Sequence, residues 1–157
     1  MTPEPIIQLT GDHYFMGEAL RWAVKAYEKE EVPIGAVIVL NQKIIARAYN
    51  QVELLKDATA HAEMLALTQA AEVIGDWRLT GCTLFVTKEP CCMCAGAMVQ
   101  TRVDRVVFGV GDSKAGAAGG ALNLLQMDSL NHRCDFLPGI REKESRDLLQ
   151  SFFREKR

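Results

Sequence analysis

The sequence has no excess of positive charge, no long apolar run and no even set of cysteines, and each absence narrows what it can be. Its 157 residues carry a formal net charge of −2 and a pI near 5.9. A protein that coats nucleic acid by bulk charge is strongly basic, so only a local basic patch stays open. The C-terminal Arg141, Lys143, Arg146, Arg154, Lys156 and Arg157 could form one, but Glu142, Glu144, Asp147 and Glu155 are interleaved and read as a solvated helix face. No uncharged apolar stretch approaches the ~20 residues that span a bilayer. No lysine or arginine precedes Arg21, so no signal peptide is expected, and a reducing cytoplasm is the expected location. Five cysteines, three of them within positions 91–94, make a poor disulfide framework and a good metal site. Phosphate signatures are missing as well. No Walker-type loop occurs, and Gly109-x-Gly111 meets Lys114 where a dinucleotide fingerprint needs its third glycine, so no nucleotide cofactor is expected.

What remains is a globular composition, 48% apolar and 24% charged, at a length suited to one domain with a real core. Residues 1–11, with Pro3, Pro5 and Gly11, read as a loose arm before a single domain over 12–157. From Asp12 a helical period places Phe15, Met16, Ala19, Leu20, Ala23, Val24 and Tyr27 on one face. Gly35–Leu40 and Lys43–Tyr49 read as a hairpin around Asn41-Gln42, and 50–58 as a loop. Thr59 is a candidate cap for a helix to about Ile74. Cys82–Thr87 and Val103–Val110 are strands, with a helix from Cys91 to about Gln100 between them, started by Pro90. A glycine-alanine loop (111–120), a short helix near Leu122–Met127 and a strand at Arg133–Leu137 follow. A last amphipathic helix, Arg141–Arg154, turns Leu148, Leu149, Phe152 and Phe153 inward. Alternating strands and helices with an opening hairpin predict an α/β sandwich on a mixed sheet.

The chemistry concentrates in two places. His61-Ala62-Glu63 is followed, 27 residues after Glu63, by Pro90-Cys91-Cys92-Met93-Cys94. Cys91 and Cys94, three apart at a predicted helix start, share a face, and positive potential at the helix N-terminus favours thiolates. His61 opens another predicted helix. One imidazole and two thiolates can hold a zinc ion and leave its fourth position to water, the mark of a catalytic rather than a structural site. Glu63, beside the ion but not bound to it, can carry protons for that water. Cys92, about 100° round the helix from Cys91, is taken as a packing residue, and Cys82 and Cys134 as buried thiols. A redox pair has no need of His61. A structural zinc site needs a fourth Cys or His at ligand spacing, and His13 and His132 stand alone.

With these residues in view, the chain resembles the bacterial tRNA-specific adenosine deaminases of the cytidine-deaminase superfamily. The resemblance runs from Tyr14 to Arg154. Its segments include 32–37 (Val-Pro-Ile-Gly-Ala-Val), Asn50, 59–63 (Thr-Ala-His-Ala-Glu), 89–98 (Glu-Pro-Cys-Cys-Met-Cys-Ala-Gly-Ala-Met), 105–109 (Arg-Val-Val-Phe-Gly), 131–133 (Asn-His-Arg) and 152–154 (Phe-Phe-Arg). The zinc motif marks the superfamily; the Ala-Gly-Ala-Met extension, Asn-His-Arg and the Phe-Phe helix narrow it to the tRNA branch. The resemblance implies a three-layer α/β/α cytidine-deaminase-like fold with a five-stranded mixed sheet, a homodimer, and hydrolytic conversion of adenosine to inosine at the wobble position of an anticodon, a zinc chemistry established for this family. It implies one zinc per subunit on His61, Cys91 and Cys94, with Glu63 as proton shuttle. It implies Asn50 and the Ala62 backbone at the extruded base, Ile34 and Val37 as apolar walls, and Asp112, Lys114, Asn131 and Phe153 on the anticodon loop. The alternative within the same chemistry is a deaminase of a free base or nucleoside, guanine or cytosine. Three positions depart from the family pattern: Ala58 replaces a frequent proline, Lys88 a common leucine and Cys92 a frequent valine.

Overall fold

The computed structural model describes residues 11–156, so the expected N-terminal arm lies outside the described residues apart from Gly11. Helix α1 (Asp12–Glu28) is followed by β1 (Gly35–Leu40), β2 (Lys43–Tyr49), a one-turn helix α2 (Val52–Leu55) and α3 (Ala62–Ile74). Then come β3 (Thr83–Lys88), α4 (Cys92–Gln100), β4 (Arg105–Val110), β5 (Asp135–Leu137) and α5 (Glu142–Glu155). The five strands form one mixed sheet in the order β2-β1-β3-β4-β5. β1 runs antiparallel to β2 and β3, while β3, β4 and β5 are parallel. The hairpin turn is tight because Asn41 and Gln42 both adopt positive φ, 52° and 66°, the geometry whose twist matches that of the flanking strands.

Period-two alternation in the central strands divides the core into two layers. Ala36 and Ile38 of β1, Leu84 and Val86 of β3, and Val106 and Phe108 of β4 face α3 and α4. Val37, Val39, Phe85 and Val107 face the opposite way, onto Phe15, Met16, Ala19 and Leu20 of α1, with Leu148 of α5 beside them. α1 is anchored at its start by a two-pronged ion pair in which Arg105 donates to both Asp12 oxygens at 2.8 and 2.9 Å. Its buried stripe takes in Ala26 and leaves Val24 41% exposed, contrary to the expected face. Cys82 and Cys134 are fully buried, as expected, and burial pushes the Cys134 thiol up to about 12.

Two further expectations differ from the structure. The loop after β2 contains α2, because the buried Glu31 carboxylate accepts the N–H groups of Glu53 and Leu54 at 3.0 and 2.7 Å and so caps a turn that has no cap of its own. The stretch Leu122–Met127 is not a helix. Its backbone bonds outward instead, from Leu124 N–H to Ala117 and from Cys134 N–H to Leu125, with a bridge between Ala118 and Asn123.

α1 lies so close to the start of β1 that a Cβ on Gly35 would meet the Ala19 carbonyl oxygen at 2.1 Å and the Ala23 nitrogen at 2.4 Å. Both are backbone atoms and cannot swing away. Gly35→Ala should therefore destabilise the protein by at least about 2 kcal/mol in urea unfolding. A variant as stable as the parent would show that α1 has room to move.

Candidate active site

Two helix N-termini meet at one end of the sheet. His61 occupies the position just before α3, with φ −73° and ψ 149°, and Cys91 the same position before α4, with φ −74° and ψ 176°. Both had been expected in the first helical turn; each stands one residue earlier. A side chain at this position ordinarily accepts an N–H from the first turn. Neither does so here, which leaves both free to face each other. Cys94 is the third residue of α4. Side chains at the cap and at the third helical position approach one another, as in a capping box, and the Cys-x-x-Cys pair takes those two places. His61 Nδ1 lies 3.6 Å from Cys91 Sγ and 3.4 Å from Cys94 Sγ, and the three ligand atoms all fall within 4.8 Å of one another. A tetrahedral zinc with usual Zn–S and Zn–N bonds separates sulfur from nitrogen by about 3.6 Å. The residues fit the ion that the resemblance implies.

The three side chains are close enough to shift one another's protonation. Hydrogen bonds from Cys94 and then His61 hold the Cys91 thiol down at about 3. The Cys94 thiol is pushed up by its hydrogen bond to Cys91 and by burial, and the His61 imidazole is raised by its bond to Cys91. Glu63, the second residue of α3, is buried at 4% exposure, and its Oε1 has no hydrogen-bond partner. Burial raises its carboxyl well above the ordinary range. A buried polar atom without a partner is costly, and this one lies beside the His-Cys-Cys cluster.

His61 lines a cleft of about 910 Å³ together with Ile34, Asn50, Lys88 and Phe153, among others. Asn50 is 5% exposed and is held by its N–H donated to the Ile34 carbonyl at 3.0 Å. Ala62, fully buried, joins His61 to Glu63. Phe153 is 49% exposed at the rim, whereas its neighbour Phe152 packs inward; the expectation that both turn into the core is corrected. Asp112 reaches this rim through an ion pair with Lys88 at 3.0 Å. Lys114 and Asn131 are exposed and do not line the cleft. Val37 is not a wall of it: the side chain lies in the core beneath α1, on the other face of the sheet. Cys92, expected to pack, is exposed, because the first residue of α4 turns to solvent when Cys91 and Cys94 turn inward.

One organising residue has no counterpart among the candidates from sequence. Glu89, 5% exposed, accepts three backbone N–H groups from the glycine-rich loop: Asp112 and Ala118 at 2.9 Å and Gly120 at 2.8 Å. Gly116 and Gly120 make room for it, since a Cβ on either would come within 2.2 and 2.7 Å of the carboxylate. The carboxylate thereby fixes the loop that carries Asp112. Its sequence signal is an acid at a strand end answered by a distant run of glycines, and nothing local pairs the two. Glu89→Ala should speed amide hydrogen exchange at Asp112, Ala118 and Gly120 by at least about tenfold. Unchanged protection at these three amides would show that the loop holds itself.

Comparison with known proteins agrees with this geometry. A family model described as MafB19-like deaminase matches residues 11–157. The chain is 51% identical over 149 residues to the tRNA-specific adenosine deaminase of Bacillus subtilis (strain 168), covering 95% of this chain and 92% of the relative. It is 45% identical to the protein of the same name from Aquifex aeolicus (strain VF5), covering 94% and 97%. A solved structure from biochemical and structural studies of A-to-I editing by tRNA:A34 deaminases superposes with a TM-score of 0.84 at 42% identity, covering 87% of this chain and 99% of that one. The chain belongs to the family of the tRNA-specific adenosine deaminases.

Proposed function

We propose that the protein hydrolyses the exocyclic amine of adenosine at the wobble position of a tRNA anticodon, leaving inosine and releasing ammonia. The observation that carries this reading is the partnerless buried oxygen of Glu63 beside His61, Cys91 and Cys94. A zinc ion held by these three residues supplies, when bound, the Lewis acidity that makes water a nucleophile near neutral pH. The remaining work falls to the chain. Glu63 takes a proton from the attacking water, delivers it to the purine ring and assists the amine as the C6–N bond breaks and the C6–O bond forms. Asn50 holds the base, with the Ala62 backbone at its edge and Ile34 against its face.

An anticodon base lacks a duplex partner and is cheap to extrude, and single-stranded loops are where sequence-specific RNA recognition concentrates. The acidic overall charge is compatible with this, since a pocket and a few local contacts suffice. Phe153 and Asp112 stand at the rim where flanking nucleotides would pass. The same reading extends to a homodimer acting in the cytoplasm.

Incubation with an anticodon stem-loop, beside free adenosine, guanine and cytosine, tests the reading. Inosine should form in the stem-loop and ammonia should not come from the free compounds. Release of ammonia from guanine or cytosine alone would assign the chain to the rival activity. In the same assay Glu63→Ala should keep its fold and its metal and lose about 10²- to 10⁴-fold in turnover; full activity would remove Glu63 from the reaction.

A further inference from the structure

Lys88, the last residue of β3, lines the cleft together with His61. Its side chain is 33% exposed, and Nζ lies 3.0 Å from Asp112 Oδ2. Asp112 has partners besides that lysine. Its Oδ1 accepts the N–H groups of Lys114 and Ala115 at 3.0 and 3.1 Å, and its own N–H is fixed by Glu89 at 2.9 Å. Partial burial opposes its ionisation, and the Lys88 ammonium with these two N–H groups outweighs that burial and holds the carboxyl below its usual range. The pair is partly exposed, and solvent weakens it. Lys88 can therefore leave Asp112 at little cost, and Asp112 keeps its other partners when it does. The other lysines of the cleft, Lys29 and Lys156, share its walls with Glu30, Glu31 and Glu53, so the cleft as a whole is not a basic funnel.

A free nucleoside entering this cleft brings no charge. A nucleotide extruded from a loop brings a phosphate on each side. We propose that Lys88 takes one of the two phosphates flanking the target adenosine, with Asp112 parking its ammonium at the mouth until the RNA arrives. The residue is then a selectivity element that favours a polynucleotide over a free base or nucleoside. The proposal rests on the tRNA reading above and deepens it by naming the contact that distinguishes RNA from its components.

The test compares the wild-type holoenzyme with Lys88→Gln and Lys88→Arg on an anticodon stem-loop, measuring kcat and KM between 50 and 200 mM salt (roughly the range over which phosphate contacts are read out). Lys88→Gln should raise KM roughly tenfold to hundredfold with kcat little changed, and should lower the salt slope of kcat/KM by about 0.7. Lys88→Arg should keep most of the wild-type behaviour. Stem-loops carrying a neutral methylphosphonate on one or the other side of the target adenosine add an independent arm. At one of the two positions the wild type should lose the same factor, and Lys88→Gln should lose nothing further. Equal salt slopes for Lys88→Gln and wild type, or equal methylphosphonate penalties in both proteins, would overturn the proposal and leave the deamination itself standing. A wild type that leaves the stem-loop adenosine untouched would overturn the underlying reading and the proposal with it.

Discussion

The structure depends on the convergence of two helix N-termini on one point. His61 before α3 and Cys91 before α4 each give up the hydrogen bond a capping side chain normally makes, and with Cys94 they bring three ligand atoms within 4.8 Å of one another. Everything around the site serves that arrangement. β1 and β3 set α3 and α4 on the same face of the sheet, α1 closes the other face, and the aligned peptide dipoles of both helices favour the anionic sulfurs. Positive potential at the two helix starts and negative charge on the sulfurs would be complementary.

Three glutamates near this point are buried, and they differ in how their oxygens are paired. Glu31 is satisfied by two backbone N–H groups and builds the wall at α2. Glu89 is satisfied by three and fixes the loop that holds Asp112. Glu63 retains an oxygen with no partner. A structural carboxylate buried in a protein is paired, because an unpaired one costs free energy with no return. An acid that must accept a proton during a reaction needs an oxygen kept free.

Much of this was legible in the sequence. The His-x-Glu and Cys-x-x-Cys spacing pointed to the three side chains that the fold brings together and to the buried Glu63, and the hairpin, β3 and α4 announced themselves through their turn residues and Pro90. The parts that were not legible have physical reasons. Gly35–Leu40 is apolar at every position, so alternation could not say which side chains face the site, and Val37 proved to lie beneath α1. The segment Leu122–Met127 carries helical composition but spends its backbone hydrogen bonds on Ala117 and Cys134. Cys92 looked like a core residue and is exposed, since its neighbours on the helix turn decide its direction. Glu89 and Glu31 act over separations of more than twenty residues, which no local pattern encodes.

X-ray absorption at the zinc edge on the purified protein tests the central claim most directly. The account predicts two sulfur neighbours at about 2.3 Å and two nitrogen or oxygen neighbours at about 2.0–2.1 Å, one of the latter being exchangeable solvent. A shell of four sulfurs, or a protein purified without zinc in which Cys91 and Cys94 are joined as a disulfide, would contradict it.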